Sequence, residues 1–217
     1  MRALTVDQVR GVPWWGVLSS AATPVFLIGG WTLAASLQPE SFDPVRQSVS
    51  SLARQGAADR WVMTATFIVV AICFIVTALA LRPAARPGRL VLVAAALAGM
   101  LVAASPAATP PSFSLAHALW STLGFALLAA WPLAALQSGP GVPWALRPTA
   151  SVGAVAAIVL LTAWFLLELM SGGHELGLAE RTVGIAQALW PLLVVVSCQL
   201  ARKQEPFRQP DRRRLSV

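Results

Sequence analysis

The chain has 217 residues, of which 57% are hydrophobic and only 12% charged, whereas soluble proteins carry charge on roughly a quarter of their residues. That excludes an ordinary water-soluble domain and points to a membrane protein. The net charge of +7 raises nucleic acid as a partner, but the placement of the basic residues along the chain reads as a membrane-topology signal instead, so no nucleic-acid binding is expected.

The polar leader "MRALTVDQVRGVP" precedes an apolar run longer than the roughly 7–15 residues of a secretory signal, so the first span is expected to stay in the mature protein. Apolar runs follow at Trp14–Leu37, Trp61–Leu81, Leu90–Ala104, Leu115–Leu136, Ala150–Met170 and Ala179–Leu200. Most reach the roughly 20 residues that a helix needs to cross a hydrocarbon core. The expected fold is all-α: a polytopic membrane protein with six transmembrane helices in one bundle and an ordered first outer loop. The bundle covers 14–200, between a cytoplasmic N-terminal segment, 1–13, and a basic cytoplasmic tail, 201–217. The third run is short, and the uncharged "SPAATPPSFS" after it is expected to hug the membrane interface. Cys73 and Cys198 lie within apolar runs, where a reduced thiol behaves as a small hydrophobe.

Six spans put the leader, the second and fourth loops and the tail on one side. That side holds twelve of the sixteen Lys and Arg residues, against Arg46, Arg54, Arg60 and Arg181 on the other. The positive-inside rule then makes both termini cytoplasmic, in a protein integral to the cytoplasmic membrane. The tail "ARKQEPFRQPDRRRLSV" is expected to associate with anionic lipid headgroups.

The opposite face collects the chemistry. In "SFDPVRQSVSSLARQGAADRW", Asp43-Pro44 favours a turn, Ser48 or Ser50 is placed to cap a short helix, and Val45, Val49 and Leu52 are spaced to press one side of it inward. His117 and Glu168 fall just inside the same end of spans four and five. On span six Glu180, Gly184, Gln187 and Pro191 form one stripe; on span four His117, Ser121 and Gly124 share a face with Trp120 beside them; on span five Trp164 stands a turn deeper than Glu168. Ionisable groups in spans usually face a bundle interior or a hydrated cavity, so these stripes are expected to converge on one outward-opening pocket.

These stretches resemble the bacterial and archaeal six-helix membrane proteins gathered as domain-of-unknown-function family 998. The resemblance rests on "FDPVRQSVSSLA", on "RWVMTATFIVVAICFIVTALALRP", on the histidine of "LAHALWSTLGF" and on "LAERTVGIAQALW", and it extends over nearly the whole chain. Ser51 and Ala53 stand where the family often has an acidic residue and glycine, so no acidic role passes to Ser51. The resemblance implies a fold and no chemistry.

Two readings of each group stand side by side. Asp43, Ser48 and Ser50 are either turn and cap residues, or Asp43 is an acid or base and a serine a nucleophile or hydrogen-bond donor. His117 and Glu168 either hold spans four and five together or exchange protons. Glu180 and Arg181 suit a helix start and a headgroup-seeking arginine. The candidate catalytic set is Asp43, His117, Glu168 and Ser48. The candidate substrate-binding set is Ser50, Trp120, Ser121, Trp164, Glu180 and Gln187. No metal site and no cofactor is expected, since there is neither a close-spaced histidine pair nor a cysteine cluster. Trp14, Trp15, Trp61 and Trp144 at span ends read as interfacial anchors. Trp31, Trp120, Trp131, Trp164 and Trp190 lie within spans, where their faces either fill space or stabilise a cationic ligand or intermediate.

The expected function is binding of a membrane lipid or prenyl-type molecule, with acid–base chemistry on it if the protein is an enzyme: proton-initiated isoprenoid cyclisation or lipid ester hydrolysis. The alternatives are a non-catalytic scaffold or regulator and, with less behind it, a small transporter.

Overall fold

Lipid offers no partners to backbone N–H and C=O groups, so an apolar chain that crosses it satisfies them within each segment as helix. The computed structural model describes residues 11–109, 112 and 114–204. Among these it forms six helices long and apolar enough to span: α1 Trp14–Ser36, α2 Trp61–Ala80, α3 Arg86–Ala104, α4 Leu115–Ala135, α5 Pro148–Ser171 and α6 Leu176–Gln204. No strand occurs among the described residues. The expected spans are reproduced, with α3 lengthened at its start. Pro87 lies in its first turn, where the missing N–H costs nothing. Residues 1–10 of the leader and 205–217 of the tail lie outside the described residues; α6 itself continues through the start of the tail to Gln204.

Each helix packs on its neighbour in sequence, and α6 returns to α1, closing a ring; α4 touches α6 briefly across it. Small residues set the closest approaches. A Cβ at Gly16 or Gly30 of α1 would collide with Ala80 or Thr66 of α2, and one at Gly88 of α3 with the backbone of Ala135 of α4. Between α1 and α2, Ser19 Oγ donates to the carbonyl of Cys73 at 2.7 Å and lies 2.8 Å from Thr77 Oγ1. By contrast α4 and α5 are the least buried helices, and they flank the loosest sector of the ring.

Alternation of the helices gives the bundle two ends. The terminal end carries the α2–α3 and α4–α5 connections, and its core includes Leu81, Leu92, Trp131, Leu146 and Val195. There Arg89 covers the last carbonyls of α2, donating to Ala78 O at 2.8 Å and Leu79 O at 3.2 Å. The loop end carries the α1–α2, α3–α4 and α5–α6 connections, and its smaller core holds Trp31, Val49, Leu52 and Met63. Tryptophan exposure follows the expected division: Trp14 and Trp61 are 73% and 66% exposed, whereas Trp31 and Trp131 are buried.

The α1–α2 loop is ordered. Residues Val49–Ala53 make a 3-10 helix whose cap is Ser48, its Oγ accepting from Ser51 N at 3.1 Å. Val49 and Leu52 are buried as expected, but Val45 is exposed because the chain turns at 44–47 and its side chain leaves the register. The loop seats on α1, α2 and the start of α6. Thr109 Oγ1 also donates to Gln55 O at 2.8 Å, joining it to the α3–α4 connection.

Candidate functional site

One turn into α6, Glu180 and Arg181 are consecutive, so their side chains leave the helix about 100° apart and reach different parts of the same loop. Glu180 is buried; its Oε2 accepts from Val49 N at 2.6 Å and its Oε1 from Ser50 Oγ at 3.1 Å. Arg181 Nη1 donates to the carbonyls of Pro44 at 2.6 Å, Gln47 at 3.0 Å and Gly177 at 3.0 Å, and its guanidinium lies 5.9 Å from the Trp31 ring. The arginine therefore turns inward to loop carbonyls, which corrects the expectation that it reaches for headgroups. Leu178 N donates to Val45 O at 3.0 Å. Gly177 is required at this contact, since a Cβ would run into the carbonyls of Gln47 and Pro44.

Beneath this roof lie two adjoining cavities that share part of their lining, an inner lobe and a lateral lobe. The inner lobe, about 150 Å³, sits inside the ring among Trp31, Phe67, Phe74 and Leu128, with Gln187 at its polar side. The lateral lobe, about 610 Å³, runs between α4 and α5, bounded by His117 and Ala126 on one helix and Thr162 and Leu166 on the other. Ser50, Ser121, Phe125 and Glu180 border both lobes. Phe125 stacks on Phe165 with ring centroids 5.4 Å apart and planes 27° from parallel. Gln187, also buried, ties α6 to α4 by donating from Nε2 to Phe125 O at 3.1 Å.

The polar atoms at the junction are unevenly matched. Ser121 Oγ is buried and has no hydrogen-bond partner among the described residues. His117 Nδ1 lies 2.9 Å from the carbonyl of Ser105, which accepts only; a neutral ring so held carries its proton on Nδ1 and leaves Nε2 as an acceptor.

The lobes thus gather Ser48, Ser50, His117, Trp120, Ser121, Glu180 and Gln187 from the residues singled out in the sequence. Asp43, Glu168 and Trp164 border neither lobe, and the expectation that Asp43, His117 and Glu168 share one cavity is overturned. The reason is local in both acids. Asp43 Oδ1 accepts from Val45 N at 2.9 Å while Oδ2 faces Arg46 at 3.5 Å, so the carboxylate serves its own turn. Glu168 Oε2 accepts from Glu175 N at 2.9 Å, folding the side chain over the α5–α6 turn. Trp164 gives its place to Phe165, the next residue on α5. Sequence reasoning also passed over Phe125 and Phe67 and treated Trp31 only as one of several indoles within spans. The four-residue step from His117 through Ser121 to Phe125 was the available signal for the first of these.

The sequence profile of a family described as "Protein of unknown function (DUF998)" matches residues 20–197. The chain belongs to this family. The matched region runs from within α1 to within α6, so the family's shared segment contains the roof loop, its two anchors and both lobes. No curated protein and no solved structure matches the chain.

Proposed function

We propose that this bundle binds a membrane lipid or prenyl-type molecule in the two adjoining lobes, with its polar end at Ser50, Ser121 and Glu180. The observation that carries the reading is the meeting of two apolar lobes at a buried carboxyl, one of them running out between the two least buried helices. The lateral lobe alone is within the roughly 300–1,000 Å³ of small-molecule pockets. An apolar cavity with a few convergent polar groups is what a lipid-binding site needs.

Acid–base chemistry on such a ligand would fall to Glu180 and His117, which border the lobes, and not to Asp43 or Glu168. The basic residues favour cytoplasmic termini, so the roof and the cavity beneath it face the other compartment of a cytoplasmic-membrane protein. The test is extraction of the protein purified in nanodiscs, with mass spectrometry of the retained lipids. The expected result is one lipid class enriched over the surrounding bilayer and lost when the inner lobe is filled by Gly184→Val. A Cβ at position 184 meets Trp31 Cζ3 at 3.7 Å and Leu27 Cδ2 at 3.9 Å, ordinary contact distances, and the two methyl groups beyond it take up space in the inner lobe that Gly184 lines. A retained lipid pool identical to the bilayer in both proteins would remove this reading and leave the scaffold alternative ahead of it.

A further inference from the structure

We infer that the ligand carries an uncharged hydroxyl head and a long apolar chain, and that it is admitted sideways from the bilayer through the gap between α4 and α5. This rests on the lipid-binding reading above and adds the chemical class of the ligand and its route.

The head is chosen by what the junction offers. Among the described residues no Lys or Arg borders either lobe, while Glu180 does. A phosphate or carboxylate head would lie beside a carboxyl group with no cation to meet it, in surroundings where an unpaired charge is costly. A donor fits better. Glu180 accepts one hydrogen bond on each oxygen and has lone pairs to spare; His117 Nε2 accepts when the ring is neutral; Gln187 uses its amide nitrogen on Phe125 O, and its oxygen accepts nothing among the described residues. Ser121 Oγ, buried and unpartnered, needs a neighbour that gives or takes. A hydroxyl does both, donating to an acceptor of the set and accepting from Ser121; an ammonium only donates.

The route follows from the walls. Thr122 and Ala126 on α4 and Val159, Ala163, Leu166 and Leu169 on α5 border the lateral lobe, and all are exposed on the bundle's flank. From His117 to Ala129 the α4 wall of the lobe is about 18 Å long at the helical rise, over half the thickness of a hydrocarbon core of roughly 30 Å. A chain lying there stays among apolar atoms with its head at Ser121. The stacked Phe125 and Phe165 rings join the two helices across the gap, and Phe125 borders both lobes, so an arriving head passes this pair.

The test is photolabelling in nanodiscs with diazirine-bearing hexadecanol, hexadecylamine, hexadecyl phosphate and palmitic acid, followed by peptide mapping. Hexadecanol is expected to label α4 between His117 and Ala129 and α5 between Val159 and Leu169, and to do so more strongly than the other three. Ser121→Ala should weaken hexadecanol labelling about three- to tenfold, the worth of one hydrogen bond, while leaving the fold intact because it removes an unpartnered hydroxyl. Ala163→Phe, at an exposed position, should block labelling of both helices by every probe. Stronger labelling by the phosphate, the acid or the amine would overturn the choice of head while lipid binding stands. Labelling of the inner lobe that Ala163→Phe does not change would overturn the route alone. No labelling of either lobe by any probe would overturn the inference and the lipid-binding reading together.

Discussion

Replacing Glu180 by alanine removes the acceptor of two hydrogen bonds that hold the roof loop. Val49 is buried, so its N–H would be left without a partner, at about 1–3 kcal/mol. Ser50 is only half-buried and borders both lobes, so its hydroxyl can turn into the cavity and the loss there is nearer 0.5–1 kcal/mol. Removing a carboxyl from an apolar setting gives something back. The net destabilisation is about 2 kcal/mol, which raises the open fraction of the loop roughly 30-fold. Hydrogen exchange in nanodiscs, followed on a peptide covering residues 41–53, reads this directly. Glu180→Gln keeps an oxygen for Val49 N–H and offers an amide N–H to Ser50 Oγ, so it should raise exchange only about threefold. Unchanged exchange in the alanine variant would refute the clamp. A glutamine variant as loose as the alanine variant would show that charge, and not hydrogen bonding, holds the loop.

Gly177→Ala should loosen the same peptide by about 1–3 kcal/mol, since the added carbon meets the loop carbonyls, and its exchange should resemble that of Glu180→Ala. Glu168→Gln should leave the amount and identity of retained lipid unchanged, because Glu168 borders neither lobe; loss of lipid in mass spectrometry would contradict that placement. Gly88→Ala forces α3 away from the backbone of α4 and should lower the detergent melting temperature, at a cost of about 1–3 kcal/mol. In a background lacking Cys73 and Cys198, a cysteine at position 46 should react with an impermeant thiol reagent in intact cells and one at position 216 should not; the reverse pattern would invert the orientation proposed from the charges.

The helices were legible because membrane spans announce themselves by length and hydropathy, without knowledge of any partner. The stripe on α6 was legible too: Glu180 and Gln187 interrupt an apolar run at helical spacing, and both border the cavity. On α5 the same reasoning had little to work with. That helix is apolar nearly all round, so its sequence did not distinguish the face of Trp164 from that of Phe165, and packing decided. The two misplaced acids show a different limit. Asp43 and Glu168 do lie toward one end of the bundle, but a carboxylate near a turn is captured by the closest free backbone N–H, here that of Val45 or Glu175. The Asp-Pro turn was the readable sign of this for Asp43, and its structural reading describes the geometry found. Nothing local marked Arg181 as a loop anchor, since its two acceptors in the loop are carbonyls more than 130 positions earlier in the chain.

That separation bears on how the protein is made. The roof loop leaves the ribosome directly after the first helix, but the groups that seat it, at positions 180 and 181, arrive with the last. Until then Val49 N–H and the carbonyls of Pro44 and Gln47 have only water to answer them. The sixth helix is also the one that returns to the first. The apolar seat of the loop on α1 and α2 is thus available early in synthesis, whereas its polar fastening and the closing of the ring both wait for the sixth helix.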